Sequence, residues 1–398
     1  MRILLKLRFK LLYIALAVIV IIGLVFLYRG AHPEARTLNA QTLTQEAYED
    51  VFENIAQEKG ALYAFAVLKK ISFPSEINTH NIGHVIGEEL YKQEGIDGIH
   101  ICTSEFRYAC AHALVIGIFA DEGEFALESI KDICESSGES VASSPMCFHG
   151  VGHGLLAYLN YDFEHAVSLC ESVDSENISK PEEGLRFVNA SDECVGGVAM
   201  EIVTGTHDPD AWDRAKETYV PDGELFMPCN MPFLSEQSRS MCYFYYSERL
   251  LTELGLGQDR NYADVFLDAH NACKMLSNVN EQNACVSGLA KEFVFFAERN
   301  DRAGSKHMSN EALHQVHIWC ALAGEASEVC VKSAVRSLFW GGEIDSTNAV
   351  NFCAGAALHK DICFGTLFAE AAYFLTPKEK QRRVCAKIPK PHQAFCPD

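Results

Sequence analysis

Positive charge is scarce in this sequence. Its 398 residues include 33 Lys and Arg against 54 Asp and Glu, which gives a formal net charge of −21. A surface with this charge repels phosphate backbones, so nucleic acid is excluded as a partner. Alternation of Val, Ile and Thr between tight glycine turns is nearly absent as well, which argues against an all-β fold.

Several motifs of common enzyme classes are missing too. The sequence has no phosphate-binding Gly-x-x-x-x-Gly-Lys-Ser/Thr loop, no Gly-x-Ser-x-Gly elbow and no dinucleotide fingerprint, so nucleotide-binding and serine-hydrolase functions are not indicated. Its cysteines never form a Cys-x-x-Cys pair, which removes the usual signature of zinc ribbons, thioredoxin-like proteins and haem-c attachment. The remaining composition, 48% hydrophobic and 22% charged, is that of a folded globular protein.

A long apolar run lies near the N-terminus. Residues 11–28 carry no charge and are bounded by Lys10 and Arg29, close to the roughly 20 residues that cross a bilayer as a helix. Basic residues before the run predict a cytoplasmic N-terminus. We therefore predict a single-pass signal-anchor protein of the cell membrane. A cleaved signal peptide is the alternative, although its apolar core is usually shorter. The predicted divisions are a cytoplasmic segment 1–10, a transmembrane helix 11–28, a linker 29–40 and an extracytoplasmic domain 41–398.

Sixteen cysteines divide the predicted extracytoplasmic domain at regular intervals. An even and high number predicts structural disulfides, which require an oxidising compartment. Each close pair brackets a short polar connection between two apolar-periodic stretches, so pairing in sequence order is expected. The predicted pairs are Cys102 with Cys110, Cys134 with Cys147, Cys170 with Cys194, Cys229 with Cys242, Cys273 with Cys285, Cys320 with Cys330, Cys353 with Cys363, and Cys385 with Cys396.

The cysteine spacing also predicts the fold. The second cysteines of the pairs recur every 33 to 48 residues, a length typical of two-helix repeats that stack. We predict an all-α, disulfide-stapled α-solenoid that starts with one long helix within residues 41–70. This pattern resembles Sel1-like and TPR repeat proteins in architecture; no Sel1 consensus is present and the resemblance implies no function. Insertions at 172–192 and 206–236 interrupt the repeats, as binding loops often do.

Histidines at the first three repeat-helix starts distinguish this chain from a plain scaffold. Two of these helices carry His at positions i and i+4, which places both imidazoles on one face. Since successive solenoid helices are neighbours, we expect the side chains to share one patch and to bind a transition metal such as zinc, copper or iron. The predicted ligands are His80, His84, His112, His149 and His153, with Glu88 and Glu201 as further candidates.

Other interpretations of the histidines remain open at this point. The imidazoles would also suit a polar seam that caps helix starts, or metal-free acid–base catalysis. A zincin-type protease is not indicated, because Asn81 and Gly150 stand where His-Glu-x-x-His needs glutamate. The glycines between the histidines predict either close helix packing or a flat ligand such as haem with two axial histidines.

The sequence thus predicts a membrane-anchored extracytoplasmic helical-repeat protein with a metal or haem site. A metal with an open coordination position would allow activation of water or dioxygen. A site in which all positions are filled would be structural or serve electron transfer. The sequence is compatible with an enzyme and with a non-enzymatic protein. The alternative is a non-enzymatic scaffold that binds an envelope protein or peptide. Disulfide exchange is a third interpretation, and it requires a reactive free thiol.

Overall fold

A computed structural model describes residues 32–74, 77–103, 105–136, 143–173, 189–205, 207–301, 307–340, 346–375 and 378–396. These residues form helices and connecting turns, and the all-α prediction is confirmed for them. The predicted transmembrane segment 11–28 lies outside the described residues. Within the described ranges, no helix combines the length and the apolar character needed to cross a membrane.

The helices are mostly of two to four turns. In chain order they are α1 Pro33–Leu38, α2 Gln45–Lys59, α3 Ala61–Leu68, α4 Thr79–Glu94, α5 Ala109–Glu122, α6 Ala126–Ser136, α7 Ser143–Tyr158, α8 Phe163–Ser172, α9 Ala190–Thr204, α10 Pro209–Tyr219, α11 Glu236–Tyr245, α12 Ser247–Glu253, α13 Tyr262–Cys273, α14 Val279–Asn300, α15 Asn310–Ala321, α16 Ser327–Trp340, α17 Ser346–Gly355, α18 Lys360–Phe374 and α19 Lys378–Lys387. Short 3₁₀ turns lie at Gly95–His100, Glu105–Tyr108, Gly123–Phe125, Gly324–Ala326 and Lys390–Phe395.

Many helices start at a polar capping residue whose side chain accepts a hydrogen bond from a backbone N–H of the first turn. Such caps satisfy donors that the helix itself leaves unpaired, and each typically contributes about 1 kcal/mol. They explain where the helices begin, because the caps stand just before apolar-periodic runs. The capping residues are Thr44, Asn78, Asp162, Asn189, Asp208, Ser235, Asn261, Asn278 and Ser309.

Eight disulfides join cysteines that are 8 to 24 residues apart. The bonds are those predicted by pairing in sequence order, and most join the end of one helix to the start of the next. All sixteen cysteines lie in the described ranges, where none is free. The thiol that disulfide exchange requires is therefore lacking.

One series of helices contacts in order along the chain. α4 packs on α5, α5 on α7, α7 on α9, and the series continues through α11, α14, α16 and α18. From α5 onward each of these helices carries the second cysteine of a disulfide, whereas α4 has no cysteine. The buried faces of these helices form a continuous apolar core, which includes Leu114 on α5 and Val151 on α7. The first four helices of this series, α4, α5, α7 and α9, carry the predicted metal-binding side chains or lie beside them.

Close helix packing explains the glycines between the histidines. On α7, a Cβ atom at Gly152 would lie 2.0 Å from the Cys194 carbonyl oxygen, and on α9 one at Gly197 would lie 1.9 Å from that of His149. A Cβ at Gly150 would likewise approach the backbone of His112. These glycine faces are thus occupied by neighbouring helices, and the space that a flat ligand would need against them is filled.

The structure adds detail to three predicted segments. The single long helix expected within 41–70 is two helices, because Gly60 adopts a φ of +93° and breaks the helix between α2 and α3. The predicted linker 29–40 contains the short helix α1. The insertion 206–236 contains α10, which starts where Asp208 caps the helix and Pro209 occupies its first turn.

Candidate metal centre

Six histidines from four segments meet at one place in the structure, and together with Glu201 they are called the histidine cluster below. α4 contributes His80 and His84, α5 contributes His112, and α7 contributes His149 and His153. The sixth is His207, in the short connection between α9 and α10. Neighbouring imidazole rings in the cluster have centroid distances of 4.5 to 5.7 Å. The five histidines predicted from the sequence are thus brought together.

The i, i+4 spacing on α4 and on α7 places two imidazoles side by side. The Nε2 atoms of His80 and His84 are 3.0 Å apart, and those of His149 and His153 are 3.3 Å apart. Two ligands of a tetrahedral ion with bonds of about 2.0–2.1 Å lie about 3.3 Å from each other. Both pairs therefore have ligand-atom separations that suit one bound ion.

Glu201 on α9 is completely buried and is the central anion of the cluster. Its Oε2 lies 2.9 Å from His153 Nδ1 and 2.7 Å from His207 Nδ1. The other oxygen, Oε1, accepts hydrogen bonds from the Tyr161 hydroxyl at 2.5 Å and from the His207 backbone N–H at 3.1 Å. These four contacts fix the carboxylate in orientation and attach the His207 turn to α9.

The connection that carries His207 is anchored on both sides. Asp208 caps α10 and its backbone N–H donates to the Tyr161 hydroxyl, while the Trp212 indole N–H donates to the carbonyl of Ile202 at 2.8 Å. Tyr161 itself has a φ of +63°, a left-handed conformation that costs a non-glycine residue about 1–3 kcal/mol. The surroundings thus hold Tyr161 in a strained conformation in which its hydroxyl contacts Glu201.

A second buried carboxylate lies on the α7 side of the cluster. The Glu193 Oε2 atom is 3.5 Å from His149 Nδ1 and accepts a hydrogen bond from the Tyr245 hydroxyl at 3.2 Å. The Tyr245 ring also packs against the His149 imidazole with a centroid distance of 4.8 Å. A carboxylate behind an imidazole is the arrangement that orients metal-binding histidines in many sites.

His112 occupies the middle of the cluster and is only 3% exposed. Its ring lies 5.5 to 5.7 Å from the rings of four other histidines. Neither of its nitrogens has a hydrogen-bond partner. A buried polar atom without a partner costs about 1–3 kcal/mol, so this imidazole presents two unsatisfied nitrogens to the surrounding ligand atoms.

Burial keeps several of the imidazoles neutral. Desolvation lowers the pKa of His84 and of His112 well below the ordinary 6.5, and the neighbouring histidines lower it further. The pKa of His153 falls to about 4 because burial outweighs its hydrogen bond to Glu201. Neutral imidazoles are the form that binds metal ions, so these side chains need not lose a proton to do so at neutral pH.

The carboxylate and the phenol keep opposite protonation states. Burial alone would raise the pKa of Glu201, but the hydrogen bonds from His153 and His207 dominate and hold it below its ordinary 4.5. Burial and the adjacent carboxylate raise the pKa of Tyr161, which therefore stays protonated and donates to Glu201. The cluster thus has a fixed negative charge at neutral pH.

Among the residues that the structure describes, two groups of side chains have ligand atoms close enough to hold a metal ion. One is formed by His80, His84 and His112, and the other by His153, Glu201 and His207; within each group the ligand atoms lie within 4.8 Å of one another. Glu88 is part of neither group and has an exposed side chain on α4. Desolvation raises its pKa, and electrostatic interactions with Lys92 and His207 partly offset this rise.

Sequence reasoning missed His207, Glu193, Tyr161 and Tyr245. His207 lies at the start of the insertion 206–236. The interruption of the repeats indicates a special segment there, but no sequence pattern distinguishes this histidine from others. Glu193 is adjacent to Cys194 and precedes Gly196 and Gly197, a cysteine and glycine pattern similar to that of Cys147, Gly150 and Gly152 on α7. Comparison of the chain with protein-family models, curated proteins and solved structures found no match.

Proposed function

We propose that this chain is a membrane-anchored extracytoplasmic protein that binds a first-row transition metal in its histidine cluster. The observation that carries the proposal is His112, a buried imidazole with two unpartnered nitrogens at the centre of four other histidines. Metal coordination satisfies such a nitrogen without requiring another hydrogen-bonding side chain.

The charge and chemistry of the cluster support a metal ion over the other interpretations of the histidines. Capping does not account for His80 and His84, because Asn78 and not a histidine caps α4. Imidazole nitrogens with one carboxylate are a ligand set that suits zinc, copper or iron. For haem the cluster is unfavourable, because the imidazole rings lie against one another and neighbouring helices fill the glycine faces.

The proposal also includes the cellular location of the protein and the arrangement of its helices. The eight disulfides support an oxidising, extracytoplasmic environment for residues 41–398. We place the anchor in residues 11–28, with the N-terminus cytoplasmic and the bilayer as the partner of that helix. The ordered contacts from α4 to α18 support a solenoid in which the second helix of each repeat lines the inner layer.

Metal analysis of the full chain, purified without a histidine tag from an oxidising compartment, tests this proposal. We expect at least one equivalent of bound transition metal in the unmodified chain and less bound metal in the double variant His84→Ala/His112→Ala. The matched control is His314→Ala/His317→Ala on α15, which removes two histidines outside the cluster and is expected to retain the metal. A chain that stays metal-free after reconstitution with zinc, copper and iron would contradict the proposal.

A second function, binding of a peptide segment of an envelope protein, is favoured by a groove beside the cluster. This groove, of about 190 Å³, is lined by residues of α7, α9, α11, α14, α16 and α18. It combines aromatic and methionine side chains with the charged side chains of Lys291, Arg336 and Glu370. Arg336 and Glu370 form a half-buried ion pair at 2.9 Å, and Lys291 pairs with the adjacent Glu292 at 2.9 Å. Such a mixed surface suits a peptide that has both apolar and charged side chains.

Site-specific photo-crosslinking in cells tests the groove. A benzoylphenylalanine residue in place of Ser240, which lines the groove, is expected to form a discrete protein adduct. The same residue in place of Asp268, an exposed position on α13, is the control and is expected to form none. Identical adducts from both positions, or none from either, would count against a peptide-binding groove.

A further inference from the structure

We infer that the histidine cluster holds two transition-metal ions side by side, one bound by His80, His84 and His112 and the other by His153, Glu201 and His207. This inference rests on the proposed metal-binding function and specifies how many ions are bound and which side chains bind each ion. The ligand class is a pair of divalent first-row ions.

The number of donors is the first argument. Six imidazoles and one buried carboxylate converge in the cluster, whereas zinc takes four ligands in structural sites and only three protein ligands in catalytic ones. A single ion would leave at least three of these buried groups without a metal bond. Two ions with three protein ligands each use six of the seven groups.

The grouping of the donors is the second argument. The first group comes from α4 and α5, and the second comes from α7, α9 and the His207 turn. Each group satisfies the distance requirement for one ion by itself, and the two share no residue. The remaining histidine, His149, lies between Glu193 and His153, where it orients the His153 imidazole as a positioning residue.

The two groups are in direct contact, which is the third argument. His84 Nδ1 lies 3.2 Å from His207 Nε2, and the rings of His112 and His153 have a centroid distance of 5.6 Å. We therefore expect two ions bound in these adjacent groups to interact electrostatically and, when both are paramagnetic, magnetically.

Charge adds a chemical consequence. Two divalent ions bring four positive charges, while Glu201 is the one carboxylate among the six ligands. Glu193 beside His149 adds one further buried carboxylate, so we expect the loaded cluster to favour an additional anionic ligand. The all-nitrogen group suits a softer ion than the group with the carboxylate oxygen.

Metal stoichiometry with paramagnetic resonance tests the inference. Metal-free full chain is titrated with Cu²⁺, bound copper is counted by plasma mass spectrometry, and the magnetic resonance spectrum is recorded. We expect two equivalents per chain and a spectrum in which coupling between the ions reduces or broadens the signal. The single variants His112→Ala and Glu201→Gln each impair one group, so each is expected to bind one equivalent and to show an uncoupled signal.

The outcomes separate this inference from the proposed function. One equivalent in the unmodified chain, lost in both single variants, means a single shared ion and overturns the two-ion inference while metal binding stands. No bound copper, zinc or iron overturns both. Because Glu201 is fully buried, His207→Ala in the turn serves as a second variant of the same group, with circular dichroism as the folding control for both.

Discussion

The unpaired nitrogens of His112 and the neutral imidazoles around it tie the stability of the protein to pH. Folding keeps the pKa of His84, His112 and His153 below the ordinary 6.5, so the unfolded chain binds more protons than the folded one once the pH falls below that value. Stability is therefore present above about pH 6.5 and is lost as the pH decreases. The pKa of Glu201 is lowered as well, so its contribution to stability is also lost on acidification, but only below its ordinary pKa of 4.5.

We predict that the free energy of unfolding of the metal-free chain falls between pH 6.5 and 4.5. Burial lowers the pKa of His270 and of His317 outside the cluster as well, so they contribute to the same fall. The slope is up to about 1.4 kcal/mol per pH unit for each histidine. Urea unfolding at a series of pH values measures it. The variant His112→Ala removes one cluster histidine and is expected to have a shallower slope. A stability that does not change across this window would contradict the neutral state of the cluster.

Individual residues also show what the sequence was able to predict. The i, i+4 histidines on α4 and α7 were identifiable because helical periodicity fixes which side chains share a face. His207 was not, because its contact with His84 joins positions that are 123 residues apart and depends on how four helices pack. Tyr161 was hidden for another reason, since its position is set by a left-handed backbone conformation that leaves no pattern in an aromatic residue.

Pairs of helices are held at close range by glycine, and the pair α7 and α9 is the clearest case. The absence of side chains at Gly152 and Gly197 lets the two backbones touch, although each glycine costs about 1 kcal/mol relative to alanine within a helix. Sequence reasoning identified these glycines but left packing and ligand binding as alternatives, because the spacing of glycines is the same in both cases. In the structure, backbone atoms of the neighbouring helix fill the space beside both glycines, so close packing accounts for them.

We predict that Gly152→Ala destabilises the protein by about 1–3 kcal/mol or more, since the new methyl group meets the Cys194 carbonyl and not a flexible side chain. The shift of α7 is also expected to lower metal affinity through His149 and His153. Gly355→Ala on α17 is the matched control, because a Cβ there meets nothing within 4 Å. Thermal unfolding and metal titration of both variants check this. Equal effects of the two changes would show that the α7–α9 contact is not critical.

The eight local disulfides and the ordered helix contacts describe the molecule as a whole. Their pairing was predictable because short sequence separations favour neighbours, and the repeat length followed from the same cysteines. The helix boundaries at Gly60 and at α10 were not, because a single glycine or a cap inside an expected element outweighs the apolar periodicity.

We predict that the two variants Cys134→Ala/Cys147→Ala and Cys385→Ala/Cys396→Ala both lower the free energy of unfolding by about 2–5 kcal/mol. Only the first is expected to reduce bound metal, because Cys147 lies on α7 next to two of the cluster histidines, whereas Cys385 and Cys396 lie at the other end of the helix series. Denaturant unfolding and metal analysis of each variant measure the two effects. Equal loss of metal in both would show that the disulfides act on the cluster only through global stability.

The 123-residue separation between His84 and His207 sets an order of assembly during biosynthesis. A chain made from its N-terminus presents His80, His84 and His112 long before the turn that carries His207 has been synthesised. The second group of ligands is complete only after α9 and the turn before α10 have been synthesised. We therefore expect an ion captured early to occupy the first group alone.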